Sequence, residues 1–456
     1  MSLLADLLGD TIREARARFP DVDFLRPGGE LHVDLAPTVV DRVRVDLDSS
    51  SAPLHLQSLG LTTTDGLAAA DLATRGTITA SSWRGTSLED FEPLRLFDAD
   101  HPSGHVIHTE VEDHPWVEAT FDEPVELTAV HLRGIDQRAI SLARNIRVHV
   151  GAPGADLVTV HDATRRRDEL TTFLGETVDR APDEVRAEYG VLVEPLGLAL
   201  TGRYREARAV FKALKKSISD DTARTYRQAV NQGFLLERSL EWTTHGPLRS
   251  FRFWTEPEKL EYIRFAVSVA DALRELTPNV CFGYGAALAV VRDHDLIPHD
   301  DDLDLIIAFE PDEAATLPEA HARVEEFLRA RGFVVKGDFF GHRHVSIPGG
   351  KHVDVFSGLF EGDRVSWYPG TRGALERSTM FPSSQADLLG VACPLPADPV
   401  AYLSTIYGPG WSTPDPGFKH DWRKKAFADQ AVAATQAAPS PAAAPSRSWL
   451  SRLLRR

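Results

Sequence analysis

The hydrophobic pattern of the chain first follows a period of two. From about Glu30 to Asp162, short runs such as LHVDLA, DRVRVDL, WVEATF and IRVHVG alternate apolar and polar residues, with turn residues between them at close intervals. Such alternation places the apolar side chains on one face of a strand. We therefore predict an antiparallel β-sandwich over residues 30–165.

The period then becomes helical. Residues 166–254 contain runs such as YREARAVFKALKK and predict a helical connector. The opening run MSLLADLLGDTIREARARF predicts an amphipathic helix within residues 1–29, because acidic residues interrupt its leucines where a signal peptide would be basic and then apolar. A further domain, residues 255–427, begins with Thr255 three residues before Glu258, the spacing of a helix capping box.

Residues 428–456 change composition again. The run AVAATQAAPSPAAAPS predicts a disordered linker from its Ala, Pro and Ser content. The run RSWLSRLLRR after it predicts a short basic amphipathic helix suited to the membrane interface, with a basic tail of no consequence as the alternative. Its apolar face would contain Trp449, Leu450, Leu453 and Leu454, and its polar face Arg447, Arg452, Arg455 and Arg456.

Length and charge narrow the class of protein. The 456 residues exceed one ordinary domain, so the chain is multidomain. With 50 basic and 67 acidic residues the net charge is −17, which argues against a nucleic-acid partner. Cys281 and Cys393 have no companions at zinc or redox spacing. No apolar run approaches the ~18 residues of a membrane span. We expect a cytoplasmic protein whose tail allows peripheral contact with the inner face of the membrane.

In the segment IPHDDDLDLIIAF, several carboxylates directly precede an apolar run. On a strand, Asp302 and Asp304 face the same side, about 6–7 Å apart along the backbone, so both can bind the same hard cations. Burying ionised carboxylates without a cation is costly, which predicts a site for Mg²⁺ or Mn²⁺. For an isolated Asp-x-Asp, a solvated acidic turn is the alternative.

Further residues fit phosphate chemistry. In GYGAALAVVRDHDLIP, Gly283 and Gly285 would let the backbone approach a phosphate, and Arg292 could pair with it. In KHVDVFSGLF, Asp354 could be a third carboxylate ligand. His342 and His344 alternate on one face of GHRHVSI, so His344 could accept the proton of an acceptor hydroxyl, unless its role is structural. Tyr407 could stack on a base or sugar, or pack the last helix.

GYGAALAVVRDHDLIPHDDDLDL, HVDVF and LLGVACPLPADPVAYLSTIYGPGWSTP together resemble the LicD family, which includes fukutin and fukutin-related protein. The resemblance spans roughly Glu256 to Pro416 and implies an α/β nucleotidyltransferase-like domain with a mixed sheet. It implies Asp302, Asp304 and Asp354 as metal ligands and Arg292 as a phosphate contact. The chain departs from the family at Ala286, where a threonine hydroxyl is common.

The same resemblance implies an activity. Family members transfer a phosphorylated alcohol, such as phosphocholine or ribitol phosphate, from a cytidine diphosphate donor to a glycan. We therefore expect a phosphotransferase with a CDP-alcohol donor and a glycan or lipid-linked saccharide acceptor. The alternatives are a nucleotidyltransferase that releases pyrophosphate and a non-catalytic glycan-binding scaffold.

The strand-rich region carries a second resemblance. TASSWRG, RLFDAD, HPWVEATFDEPVELTAVHLRG and RNIRVHVG, between Thr77 and Asp162, resemble the discoidin or galactose-binding-like family. The resemblance implies a jelly-roll sandwich, whose loops often bind glycans in that family. We therefore expect this region to hold the acceptor, with a purely structural role as the alternative.

Overall fold

The computed structural model describes residues 2–22, 30–84, 92–98, 107–134, 144–337, 340–415 and 418–430. The chain divides into two compact units, Met1–Leu248 and Arg249–Arg456. The basic helix predicted from RSWLSRLLRR and most of the Ala/Pro linker lie outside the described residues. No helix within the described ranges combines the length and the apolar character needed to cross a bilayer.

The first unit contains a strand-rich region followed along the chain by a helical region. Its helices are α1 (Leu3–Arg18), α2 (Ala69–Arg75), α3 (Leu94–Phe97), α4 (Ala163–Arg180), α5 (Asp183–Leu200), α6 (Tyr204–Leu214) and α7 (Asp220–Val230). Its strands are β1 (Glu30–Leu47), β2 (His55–Leu56), β3 (Ser58–Thr63), β4 (Gly76–Ala80), β5 (Ile107–His108), β6 (Trp116–Arg133), β7 (Ile146–Gly151), β8 (Leu157–Asp162), β9 (Glu241–Thr243) and β10 (Gly246–Leu248).

An antiparallel sheet of six strands dominates the described part of this unit. Its order is β3-β6-β1-β7-β8, with β4 also paired to β6. The alternation seen in the sequence reappears as burial, since Val43, Val45 and Leu47 of β1 are fully buried. The predicted strand-rich region is thus confirmed, while the jelly-roll arrangement stays a prediction.

The helices of the first unit build a second core. The apolar face of α1, with Leu8 and Ile12, belongs to the same buried cluster as Phe173 of α4. The buried hydroxyl of Tyr189 in α5 is hydrogen-bonded to Thr11 at 2.8 Å and to Thr177 at 2.6 Å. The buried hydroxyl of Tyr189 is therefore paired, whereas that of Tyr226 in the same cluster has no hydrogen-bond partner among the described residues.

The second unit combines helices with a mixed sheet. Its helices are α8 (Glu256–Arg274), α9 (Tyr284–Leu288), α10 (Leu317–Ala330), α11 (Arg377–Met380) and α12 (Pro399–Tyr407). Its strands are β11 (Val280–Gly283), β12 (Asp304–Phe309), β13 (Val334–Lys336), β14 (His342–Ser346), β15 (His352–Glu361), β16 (Arg364–Trp367), β17 (Leu375–Glu376), β18 (Ser384–Leu388) and β19 (Val391–Leu395).

The main sheet of this unit has the order β11-β12-β15-β14-β13, and β16 and β17 extend it from β15. β12 runs parallel to β15, whereas β11, β13, β14, β16 and β17 pair antiparallel to their neighbours. The mixed sheet expected for this half of the chain is confirmed. β12 is apolar from Leu305 to Phe309 because it lies inside the sheet and is fully buried there.

Helix α8 begins as its sequence indicates. The hydroxyl of Thr255 accepts a hydrogen bond from the Glu258 N–H, and the Glu258 carboxylate accepts one from the Thr255 N–H at 2.7 Å. This capping box fixes the first turn of the helix. The acidic strand begins slightly later than expected, at Asp304, although the Leu303 carbonyl still accepts from the Asp354 N–H at 2.9 Å. Asp302 therefore lies just before the strand.

Candidate metal and phosphate site

The pairing of β12 with β15 brings two of the candidate aspartates together. Asp304 and Asp354 are direct neighbours in the parallel register, and Gly283 of β11 lies opposite Asp304 on the other side. Neighbouring strands are about 4.8 Å apart, so the two carboxylates start from adjacent backbone positions at the same end of the sheet. The sheet therefore supplies the acidic pair, and Asp302 approaches it from the preceding segment.

A buried tyrosine fixes this end of the sheet. The hydroxyl of Tyr262 in α8 accepts a hydrogen bond from the Leu303 N–H at 3.1 Å and donates one to the His352 carbonyl at 2.6 Å. Burial and the Asp302 carboxylate raise the pKa of Tyr262 well above its usual value, so the hydroxyl keeps its proton. Tyr262 thus joins the residue before Asp304 to the strand that contains Asp354.

Negative charge is concentrated around Asp304. Burial raises the pKa of Asp304 well above its usual value, and the carboxylates of Asp302 and Asp354 raise it further. Asp300 and Asp301 act in the same direction. Oxygen donors in this number suit a hard divalent cation, whose charge would offset the repulsion between them. Asp302, Asp304 and Asp354 could therefore hold Mg²⁺ or Mn²⁺.

The two glycines of the predicted phosphate turn are needed for close packing. A Cβ at Gly283 would lie 2.5 Å from Cδ1 of Ile306, and one at Gly285 would lie 2.6 Å from Oδ2 of Asp300. Between them, Tyr284 has a φ of +40°, a backbone conformation that non-glycine residues rarely adopt. Its N–H donates to the Tyr402 hydroxyl at 2.8 Å, which holds this turn in place.

Arg292 has protein partners in this structure. Its guanidinium donates to Oδ2 of Asp293 at 3.0 and 2.8 Å and to the Trp411 carbonyl at 3.3 Å. The side chain is only 13% exposed. Arg292 therefore ties the segment after α12 to the turn after α9, and its predicted contact with phosphate would require an exchange of partners.

Residues 279–398 match the family model of the LicD/FKTN/FKRP nucleotidyltransferase domain. The LicD-matched span begins at β11 and contains Gly283, Arg292, Asp304 and Asp354. It indicates a transferase domain and supports the resemblance seen in the sequence. No curated protein matches the chain. No family model matches the strand-rich region of the first unit, so its discoidin likeness stays a prediction.

Histidines of the LicD-matched span surround Asp354. In the antiparallel register of β14 with β15, His344 pairs with Asp354. His344 Nδ1 lies 2.6 Å from Asp354 Oδ1, and His342 Nε2 lies 3.3 Å from Asp354 Oδ2. His352 is farther away, with Nε2 3.7 Å from Oδ1. The structure therefore places His344, the candidate base, in a direct hydrogen bond with a candidate metal ligand.

An aromatic cavity lies in the second unit, with Tyr284 of the glycine turn in its lining. It has a volume of about 150 Å³, and its lining includes Tyr284, Trp367, His420 and Trp422. The His420 and Trp422 rings stack with centroids 4.2 Å apart, and burial lowers the pKa of His420 to about 4. Asp304 is close enough to contribute, after burial, to the raised pKa of Tyr284. The cavity offers flat aromatic ring surfaces, and the Asp421 side chain also lines it.

Tyr407, predicted to stack on a base or sugar, packs against protein rings in this structure. Its centroid lies 4.9 Å from that of Phe418 and 5.2 Å from that of His420. Burial, and then the Asp304 and Asp300 carboxylates, raise its pKa. Tyr407 thus supports the ring of His420, which lines the cavity.

Sequence reasoning missed Tyr262 and the ring pair of Tyr284 with Trp367. Tyr262 follows the helical period of α8 and resembles an ordinary core residue, so only its hydrogen bonds reveal its position between two strands. The Trp367 Nε1–H donates to the Tyr284 hydroxyl at 2.7 Å, across 83 residues of sequence. A tyrosine directly between the two glycines of the turn was the available signal for Tyr284.

Tyr262→Phe is expected to lower the free energy of unfolding by about 1–3 kcal/mol, because it leaves the buried Leu303 N–H and His352 carbonyl without their shared partner. Urea denaturation measures this. Tyr368→Phe is a matched control, since the Tyr368 ring packs against Phe340 and Phe427 and the change keeps that ring. Equal stability of Tyr262→Phe and the native chain would contradict the role given to this hydroxyl.

Proposed function

We propose that this chain is a metal-dependent phosphotransferase that moves a phosphorylated alcohol from a nucleotide diphosphate donor to a glycan acceptor. The observation that carries the proposal is the in-register pairing of Asp304 and Asp354 on parallel strands within the LicD-matched span. Two carboxylates fixed at one sheet end, with a third close by, are the arrangement that phosphoryl transfer through a divalent cation requires.

The roles of the side chains follow from their positions. Asp302, Asp304 and Asp354 would hold Mg²⁺ or Mn²⁺, which when bound offsets the charge on phosphoryl oxygens and the leaving phosphate. Tyr262 keeps the two strands in register, so the carboxylates need little rearrangement. The donor's ring would enter the cavity formed with Tyr284 and Trp422, because flat aromatic walls bind rings of either a base or a sugar.

The acceptor hydroxyl would attack phosphorus, forming the new O–P bond while the bond to the nucleoside monophosphate breaks. The expectation from sequence was that His344 takes the hydroxyl proton. In this structure the imidazole is hydrogen-bonded to Asp354 through Nδ1, so proton acceptance would fall to its other nitrogen, Nε2.

Nucleotidyl transfer is the second candidate, and the description of the matched family as a nucleotidyltransferase domain favours it. In that reaction the attack falls on the α-phosphorus and pyrophosphate leaves. The two reactions need the same carboxylates but give different small products, so the product decides between them.

The test incubates the purified chain and Mg²⁺ or Mn²⁺ with oligosaccharide acceptors and either CDP-alcohols or nucleoside triphosphates. Mass spectrometry then follows the products. Cytidine monophosphate together with an acceptor that has gained the phosphorylated alcohol supports the proposal. Pyrophosphate with a nucleotidylated product would establish the second candidate instead, and glycan binding without turnover of any donor would indicate a scaffold. Asp304→Asn should remove the activity, and Asp312→Asn, at the other end of β12, should keep it.

A further inference from the structure

Two histidines and an aspartate converge where β14 meets β15. One ligand atom from each of His342, His344 and Asp354 lies within 4.8 Å of the other two. His342 and His344 share a face of β14 because side chains alternate along a strand, and the register places Asp354 opposite His344. The pairing of two strands therefore brings the three side chains together, and their arrangement does not depend on the conformation of a loop.

The burial of the three side chains suits a metal ion that is bound by the protein and is also accessible to solvent. The Asp354 side chain is 9% exposed, whereas His342 and His344 are 24% and 31% exposed. The carboxylate thus lies at the base, and the imidazoles lie around it with access to solvent. Phe356 packs against His342 with ring centroids 5.0 Å apart, which limits the orientations of that imidazole.

We infer that His342, His344 and Asp354 bind a divalent transition-metal ion. Two imidazoles and one carboxylate form the donor set of open Zn²⁺ and Fe²⁺ sites, which leave positions for water or substrate. With metal–ligand bonds of about 2.0–2.1 Å, tetrahedral ligand atoms lie about 3.3 Å apart. His342 Nε2 lies 3.3 Å from Asp354 Oδ2. His344 Nδ1 lies 2.6 Å from the other oxygen, Oδ1, so metal binding would replace this hydrogen bond and increase that separation.

The donor set distinguishes this site from the acidic one. Imidazole nitrogen suits Zn²⁺, Co²⁺ and Fe²⁺, whereas the oxygen donors of Asp302 and Asp304 suit Mg²⁺. Asp354 has two oxygens and stands between the groups, so it could bridge two ions as carboxylates do in two-metal centres. Arg343 does not compete for the site, because its side chain belongs to the other face of β14 and reaches Glu325 at 3.2 Å.

Metal binding gives His344 a different role from the one expected from its sequence. Ligation through Nδ1, the nitrogen that faces Asp354, would leave only Nε2 to accept a proton, and the bound cation would make that nitrogen less basic. The main role of the histidine would then be to position an ion beside the acidic pair. The inference does not need the proposed donor or acceptor, so it holds or fails independently of the proposed function.

The experiment titrates Co²⁺ into the full chain after removal of metals, and follows the visible absorption that nitrogen coordination produces. One equivalent should bind, and Zn²⁺ should displace it. His342→Ala and His344→Ala should each weaken Co²⁺ binding by about 100-fold or more, because loss of even an outer partner of a metal ligand costs ~10–100-fold. The matched control is His352→Ala, whose ring lies 4.5 Å from that of His344 but outside the converging group, and it should bind Co²⁺ as the native chain does.

Asp302→Asn separates the inference from the proposed function. It should lose the Mg²⁺-dependent transfer and keep Co²⁺ binding. Loss of Co²⁺ binding in Asp302→Asn, with both histidine variants unaffected, would place the ion among the aspartates and overturn the inference. Absence of Co²⁺ binding by the native chain would also overturn it.

A measurement on the native chain avoids any question of misfolded variants. X-ray absorption of the Zn²⁺-loaded protein should show two imidazole nitrogens at about 2.0–2.1 Å. A shell made of oxygen alone would contradict the assignment. Circular dichroism of the histidine variants confirms in the same series that they are folded.

Discussion

Asp304→Asn should abolish transfer and at the same time stabilise the metal-free protein. Asn keeps the shape of the side chain but removes a charge that burial and four neighbouring aspartates oppose. Relief of that opposition should raise the free energy of unfolding of the metal-free protein. Turnover should fall by more than about 100-fold, because charge stabilisation by the cation is worth several kcal/mol.

Thermal unfolding with and without Mg²⁺, together with turnover of the active donor, tests this combination. The native chain should gain stability with Mg²⁺ by mass action, and Asp304→Asn should not. Asp312→Asn is the matched control, because Asp312 is an exposed aspartate beyond the opposite end of β12. Near-native turnover of Asp304→Asn would show that this carboxylate is not a metal ligand, and a large loss of metal-free stability would show that its charge is satisfied by the protein.

The acidic strand could be predicted because two local signals agree. Carboxylates at alternate positions and an apolar run together indicate a buried strand with a charged end, although Asp302 lies just before that strand. The pairing of Asp304 with Asp354 could not be predicted from pattern, because it depends on the register of two strands that are 50 residues apart in the chain. The resemblance to a family supplied that link.

The histidine group shows the same limit. The period of two placed His342 and His344 on one face of a strand, as the structure does. It could not show that this face meets Asp354, because the register of β14 against β15 depends on the hairpin between them. From the sequence, His344 was interpreted as a proton acceptor without regard to its neighbours. Its hydrogen bond to Asp354 changes which of its nitrogens can accept a proton.

Arg292 and Tyr407 were both predicted to contact a ligand, and in the structure both contact other parts of the protein. An arginine after a glycine turn indicated a phosphate contact, but the adjacent Asp293 and the Trp411 carbonyl occupy its donors. A tyrosine in the closing segment indicated ring stacking on a ligand, and it stacks instead on Phe418 and His420. Trp411, Phe418 and His420 come from segments whose positions the period of the sequence does not determine, whereas Asp293 is the next residue in the chain.

The strand-rich half could be predicted as elements but not as a topology. Alternation marked β1, β6 and β7, whose burial follows the pattern. The order of the sheet depends on β6 pairing with β1, β3 and β4 together, and its length of 18 residues makes this possible. The hydrophobic pattern of one strand does not show which other strands pair with it.

Gly283→Ala should destabilise the second unit and impair the site, because the new methyl group would lie 2.5 Å from Cδ1 and 2.8 Å from Cγ1 of Ile306. Ile306 is fully buried, so it has little room to move, and overpacking of this kind costs about 1–3 kcal/mol. Gly283 is also the cross-strand neighbour of Asp304, and Ile306 stands two residues after Asp304 on the same face of β12. A shift of that face displaces the carboxylate, and displacement by about 1 Å can cost ~100-fold in rate.

Ile306→Val removes Cδ1, the nearer of the two clashing atoms, and by itself should cost about 0.5–1.5 kcal/mol. The double variant Gly283→Ala with Ile306→Val should therefore be more stable than the sum of the single changes by about 0.5 kcal/mol or more, and it should regain part of the lost turnover. Gly410→Ala is the control, since nothing lies within 4 Å of a Cβ placed there, and it should unfold like the native chain. Additive effects of the two changes in urea denaturation would contradict the contact, whereas coupling in both stability and turnover would show that the packing of β11 against β12 positions Asp304.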